Sequence, residues 1–127
     1  MIEHNRYDVI IVGGSYSGLA AGMALGRAMR KVLIIDSGNP CNKQTPHSHN
    51  FLTNDGKTPG EIAGLAKRQV QEYDSVRFLD AWVKAGTKTD NEFELQTDSG
   101  EVFRARKLVF ATGIKDLMPD IPGFAYC

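Results

Sequence analysis

The run "DVIIVGGSYSGLAAGMALG", Asp8 to Gly26, constrains the chain more than any other stretch. Tyr7 to Val12 is apolar and β-branched without alternation, as in a parallel strand buried on both faces. A glycine turn follows. From Tyr16, small residues at Gly18, Ala21, Gly22 and Gly26 mix with Leu19, Met23 and Leu25. That mixture predicts a helix able to lie close to a sheet, running to about Arg30. "KVLIID", Lys31 to Asp36, is a second buried strand, so the three pieces have the size of a right-handed βαβ unit.

The turn carries chemistry. In the dinucleotide fingerprint the first glycine makes a tight turn, the second lets backbone approach a pyrophosphate, and the third lets helix and strand pack closely. Gly13 and Gly18 fit the first and third places, but Ser15 stands at the second. Serine restricts positive φ yet stays small, and Gly14 beside it adds freedom. Its hydroxyl is also a potential donor to a phosphate oxygen. The helix opening at Tyr16 and Ser17 aims its first N–H groups at the anion. Asp36 closes the next strand, about twenty residues on, where a carboxylate accepts from ribose hydroxyls and repels a 2′-phosphate. The plain alternative is an ordinary βα turn with a surface Asp; spacing and context together favour the nucleotide.

Beyond Asp36 the loop Ser37 to Lys57 is polar, rich in Asn, Gly and Pro, and long enough to be functional or disordered. A second helix has a clear entry: Thr58 caps, Pro59 suits the first position, and Glu61 completes a capping box. "SVRFLDAWVKAGTK" reads as one short strand running into another, and "EFELQT" and "EVFRAR" alternate as an antiparallel meander. "KLVFATG", Lys107 to Gly113, is then a separate apolar strand. Trp82 and the phenylalanines are expected simply to pack, with no stacking role.

Bulk properties narrow the classes. At 127 residues the chain is one domain or part of a larger one, and 42% hydrophobic with 24% charged residues is ordinary for a globular protein. Fifteen basic residues balance fifteen acidic ones, which argues against nucleic acid as a partner. No apolar run is long enough for a membrane span, and "MIEHNRYDVI" has no export-signal pattern. Two cysteines, Cys41 and Cys127, make no disulfide framework, so a reducing cytoplasm is the expectation. His47 and His49 lack the further ligands a metal site needs, and none is expected.

From Asp8 to Phe124 the chain resembles the FAD-binding half of thioredoxin reductase-like pyridine nucleotide–disulfide oxidoreductases. The marks are "VIIVGGSYSGLAAG", "LIIDSGNP", "SHNFLTNDG", "LVFATG" and "PDIPGF". The resemblance implies an α/β, Rossmann-like three-layer domain with a central parallel sheet and an antiparallel β-meander, incomplete relative to the full family fold. It implies FAD as cofactor, with Gly13, Gly14, Ser15, Tyr16, Ser17 and Gly18 around the pyrophosphate and Asp36 and Ser37 at the adenosine ribose. Asn50, with His49 and Gln44, would lie along the flavin, and Val83 would meet the adenine edge. Ala111, Thr112 and Gly113 would bring the closing strand against the cofactor, and Pro119 and Pro122 would shape the exit toward a further domain. Cys41 departs from the Arg common at that place in this subgroup.

The sequence shows no Cys-x-x-Cys and no second glycine fingerprint. The expectation is therefore one partial FAD/NAD(P)-binding domain over residues 1–127, with the NAD(P)H domain outside this chain. Its parent would pass hydride from NAD(P)H to FAD and electrons on to a dithiol or disulfide; this chain alone is expected to be inactive and to hold flavin weakly. The competing expectation is a free-standing, non-catalytic nucleotide-binding or self-associating module. In both, a homo-oligomer is expected. A small NAD-binding Rossmann domain is a third reading, opposed by the meander and the closing "ATG".

Overall fold

The computed structural model describes residues 5–38, 52–53 and 55–113. Its elements run β1 (Arg6–Val12), α1 (Tyr16–Arg27), β2 (Val32–Asp36), α2 (Pro59–Gln71), β3 (Val76–Asp80), β4 (Val83–Lys88), β5 (Phe93–Thr97) and β6 (Val102–Phe110). One six-stranded sheet has the order β3-β2-β1-β6-β5-β4. β3, β2, β1 and β6 are parallel, whereas β4–β5 and β5–β6 pair antiparallel.

The central strands are apolar throughout because both their faces are buried. Val9 and Ile11 of β1, with Val32 and Ile34 of β2, pack beside Leu19 and Val70 of the two helices. Ile10, Leu33 and Ile35 point the other way, against Leu95, Phe103 and Ala105 of the meander. Helices, parallel sheet and meander are thus three layers around two apolar seams, matching the expected architecture.

The meander and the last parallel strand are continuous, contrary to the two separate segments expected from the sequence. β6 pairs with β5 from Gln96↔Val102 to Phe93↔Ala105, and with β1 from Arg6↔Arg104 to Val12↔Phe110. Its first half closes the meander while its second completes the parallel sheet. Arg104 and Ala105 pair on both sides, and the exposed Arg106 and Lys107 follow where the β5 pairing has ended.

Helix boundaries follow local chemistry. At α2 the expected capping box is present: the Glu61 N–H donates to Thr58 Oγ1 and the Thr58 N–H to Glu61 Oε1, each at 3.1 Å. α1 stops at Arg27, short of the expected Arg30. Met29 turns to φ 60°, the Met29 N–H donates to the Gly26 carbonyl (3.0 Å) and the Arg30 N–H to that of Leu25 (3.0 Å). That is a Schellman ending with methionine in the place usually held by glycine. No helix among the described residues is long and apolar enough to cross a membrane.

Candidate functional site

The parallel strands β1, β2, β3 and β6 end on one side of the sheet, where open α/β sheets place their ligands. The turn after β1 is held there from two sides. The Gly13 N–H donates to the Ile35 carbonyl (2.8 Å), and the Ala111 N–H to that of Val12 (2.8 Å). Gly13 sits at φ 113°, and a β-carbon built on it would lie 2.1 Å from the Ala111 carbonyl oxygen. Only glycine meets both conditions.

Gly14 lies against the end of β2. Its N–H donates to Asp36 Oδ1 at 3.2 Å, and a β-carbon there would lie 2.8 Å from the Asp36 β-carbon. Gly18 is buried behind the turn rather than lining it; a β-carbon would lie 1.9 Å from the Gly13 carbonyl oxygen. It lets the first helical turn seat on the loop.

The serine at the second fingerprint place now has an explanation. Ser15 is the N-cap of α1, at φ −86° and ψ −157°, an ordinary extended conformation. Positive φ falls on Gly13, so the turn asks no glycine at 15. The Ser15 hydroxyl makes no capping bond, and the first turn of α1 holds no acidic residue. The opening N–H groups of a helix lack intrahelical acceptors and carry partial positive charge. This end of α1 therefore opens with uncapped N–H groups and no negative charge of its own in its first turn.

These parts frame a cavity of about 490 Å³, within the range of small-molecule sites. Among the residues expected at the site, Gly13, Gly14, Ser15, Tyr16, Ser17, Asp36, Ser37, Val83, Ala111, Thr112 and Gly113 line it. Gln44, His49 and Asn50 lie outside the described residues, as do His47, Cys41, Pro119 and Pro122. No group of His, Cys, Asp and Glu that could hold a metal occurs among the described residues.

Val12, Ile35, Ala81 and Trp82 also line the cavity and were not anticipated. β3 runs level with β2, pairing Asp36↔Asp80, and the Ala81 N–H donates to the Asp36 carbonyl (3.0 Å). That register carries Ala81–Trp82–Val83 to the carboxylate. Trp82, expected to pack, is 57% exposed there; Phe110, at the end of β6, is 69% exposed, whereas Phe103 is buried as expected. The arrangement offers helix amides for an anion, a carboxylate for hydroxyls and an apolar wall beside it.

Known proteins share this layout. A family model described as "Pyridine nucleotide-disulphide oxidoreductase" matches residues 7–127. Thioredoxin reductase tcpT of Claviceps purpurea is 38% identical over 98% of the chain, and thioredoxin reductase aclD of Aspergillus oryzae is 39% identical over 95%. The match covers 40% and 39% of those two proteins. A solved oxidoreductase from Agrobacterium tumefaciens superposes with a TM-score of 0.88 at 40% identity, over 95% of this chain and 41% of that one. A putative thioredoxin reductase TrxB from Bacillus anthracis does so with 0.85 at 32%, over 91% and 39%. The chain therefore spans about two-fifths of the length of these relatives. With the family model matched from the first strand onward and the three-layer fold shared, the chain belongs to the pyridine nucleotide–disulphide oxidoreductase family.

Proposed function

We propose that the cavity at the mouth of α1 holds FAD, and that this segment is the FAD-binding portion of an NAD(P)H-dependent oxidoreductase acting on a dithiol or disulfide. The observation that carries it is the junction of Gly13, Gly14 and Asp36: a close-packed glycine turn at a helix N-terminus, hydrogen-bonded to a carboxylate that closes the next strand. The fit to FAD rests on a turn whose glycines at 13 and 14 let backbone pack tightly against Ala111 and Asp36 at the cavity wall, and on a cavity large enough for part of the cofactor. The meander and the closing Ala111-Thr112-Gly113 segment support FAD over NAD.

In this reading the N–H groups of Ser15, Tyr16 and Ser17 bind the pyrophosphate, and the Asp36 carboxylate accepts from the adenosine ribose. The free Ser15 hydroxyl adds a donor. Ala111, Thr112 and Gly113 close the wall opposite the helix. A bound flavin supplies two-electron chemistry between a nicotinamide and a thiol pair. The residues of this chain bind and orient; the site for the NAD(P)H that donates hydride, and the reacting thiols, would lie in other parts of the parent protein. A reducing cytoplasm and a homo-oligomer belong to the same reading, the second tested by light scattering.

Equilibrium dialysis of the chain against FAD and against NAD tests the cofactor. Saturable binding of FAD, tighter than NAD, is expected; NAD bound as tightly or more tightly overturns the choice. The reading frame past the Cys127 codon tests the parent activity. Continuation into a second glycine fingerprint and a Cys-x-x-Cys is expected; a stop codon there favours the free-standing module.

A further inference from the structure

We infer that Trp82 is a stacking platform for the adenine of the bound dinucleotide, an inference that rests on the FAD reading above. A tryptophan left 57% exposed gives up much of the burial that usually places this side chain. Its backbone, by contrast, is fixed. The Trp82 N–H donates to Asp98 Oδ1 (3.4 Å), the Asp98 N–H returns to the Trp82 carbonyl (2.9 Å), and the preceding Ala81 N–H is bound to the Asp36 carbonyl (3.0 Å). The β3–β4 junction thus holds a large aromatic side chain in the cavity wall without packing it into the core.

The placement selects the ligand chemistry. Asp36 and Ser37 line the same cavity as Trp82 and Val83. A ribose bonded to Asp36 through its hydroxyls carries its base on the adjoining carbon, so the base lies within one sugar of the carboxylate. Ala81, bonded to the Asp36 carbonyl (3.0 Å), leads directly into Trp82 and Val83, which line the same cavity. Indole offers a broad π-face, and a purine offers another; stacking between them is worth enough to set affinity. Val83 then meets the edge of the adenine and Trp82 its face.

Trp82 is the only tryptophan in the chain, so its emission reports this contact alone. ADP is the probe because it carries the adenine, ribose and diphosphate without the flavin's absorption; inorganic pyrophosphate is the control. ADP is expected to shift or quench the emission saturably, and pyrophosphate to leave it unchanged. Trp82→Ala is expected to weaken ADP about tenfold, and Trp82→Phe to restore most of the affinity. Saturable ADP binding by calorimetry with unchanged emission, or equal affinity in Trp82→Ala and the parent chain, overturns the platform and leaves the cofactor site standing. No saturable binding of either ADP or FAD overturns both readings together. The parent chain's own emission decides between these outcomes even if Trp82→Ala fails to fold.

Discussion

The Gly14 amide donates to the Asp36 carboxylate at 3.2 Å, tying the turn after β1 to the end of β2. The turn after β1 and the carboxylate that closes β2 are therefore one unit. Asp36→Ala removes the ribose acceptor and leaves the Gly14 N–H without its partner. We predict that it weakens ADP and FAD by about ten- to a hundredfold, the scale of a lost hydrogen bond to a charged group. Asp36→Asn keeps an acceptor for Gly14 and should fall between. Calorimetric affinities unchanged in Asp36→Ala would remove the ribose assignment.

Ser15 separates a steric demand from a chemical one. Its backbone is ordinary and its hydroxyl caps nothing, so Ser15→Gly should alter stability by only a few tenths of a kcal/mol. FAD affinity should fall by about tenfold, the loss of one hydroxyl donor to phosphate. Ser15→Val places a branched side chain where the anion must approach, and should abolish measurable binding with the melting temperature little changed. Equal FAD affinity in all three proteins takes Ser15 out of the site.

Two glycines with similar backbone angles should respond very differently to alanine. Gly13 (φ 113°) and Gly100 (φ 91°) both occupy the left-handed side, where a side chain costs about 1–2 kcal/mol. At Gly100 nothing lies within 4 Å of the added carbon, whereas at Gly13 the Ala111 carbonyl oxygen lies at 2.1 Å. Gly100→Ala should therefore lose about 1–2 kcal/mol in urea unfolding. Gly13→Ala must displace the end of β6 and should lose clearly more, or fail to fold. Similar losses at the two positions would mean that the turn is not packed against Ala111.

How far the sequence disclosed this arrangement depended on whether the relevant interaction was local. The βαβ unit and the capping box of Thr58 and Glu61 are written in neighbouring residues, and both are present. The continuity of β6 is hidden because its burial changes phase at Arg106 and Lys107, just past the end of its pairing with β5, while its pairing with β1 runs on. A phase break in one strand looks like two strands. Trp82 escaped notice for a similar reason: its place in the cavity comes from the register of β3 on β2, which no pattern within "DAWV" encodes. Ser15 looked like a defect in the fingerprint because the need for positive φ could not be assigned to Gly13 until the turn was seen.

The end of α1 was misplaced by three residues because its signal is carried by methionine. Met29 adopts φ 60° with its side chain 86% exposed, so it endures left-handed strain and gains little packing in return. Glycine at that place relieves the strain, although its greater freedom in the unfolded chain offsets part of the gain. We predict that Met29→Gly stabilises the protein by about 0.5–1 kcal/mol in urea unfolding. Met29→Ala keeps the strained backbone and shortens only an exposed side chain, so it should change stability by less than about 0.5 kcal/mol. Met29 does not line the cavity at the mouth of α1, so FAD affinity should be the same in both variants. Met29→Ala raising stability as much as Met29→Gly would trace the gain to the lost side chain instead of the relaxed backbone, and the Schellman account of this helix end would fail.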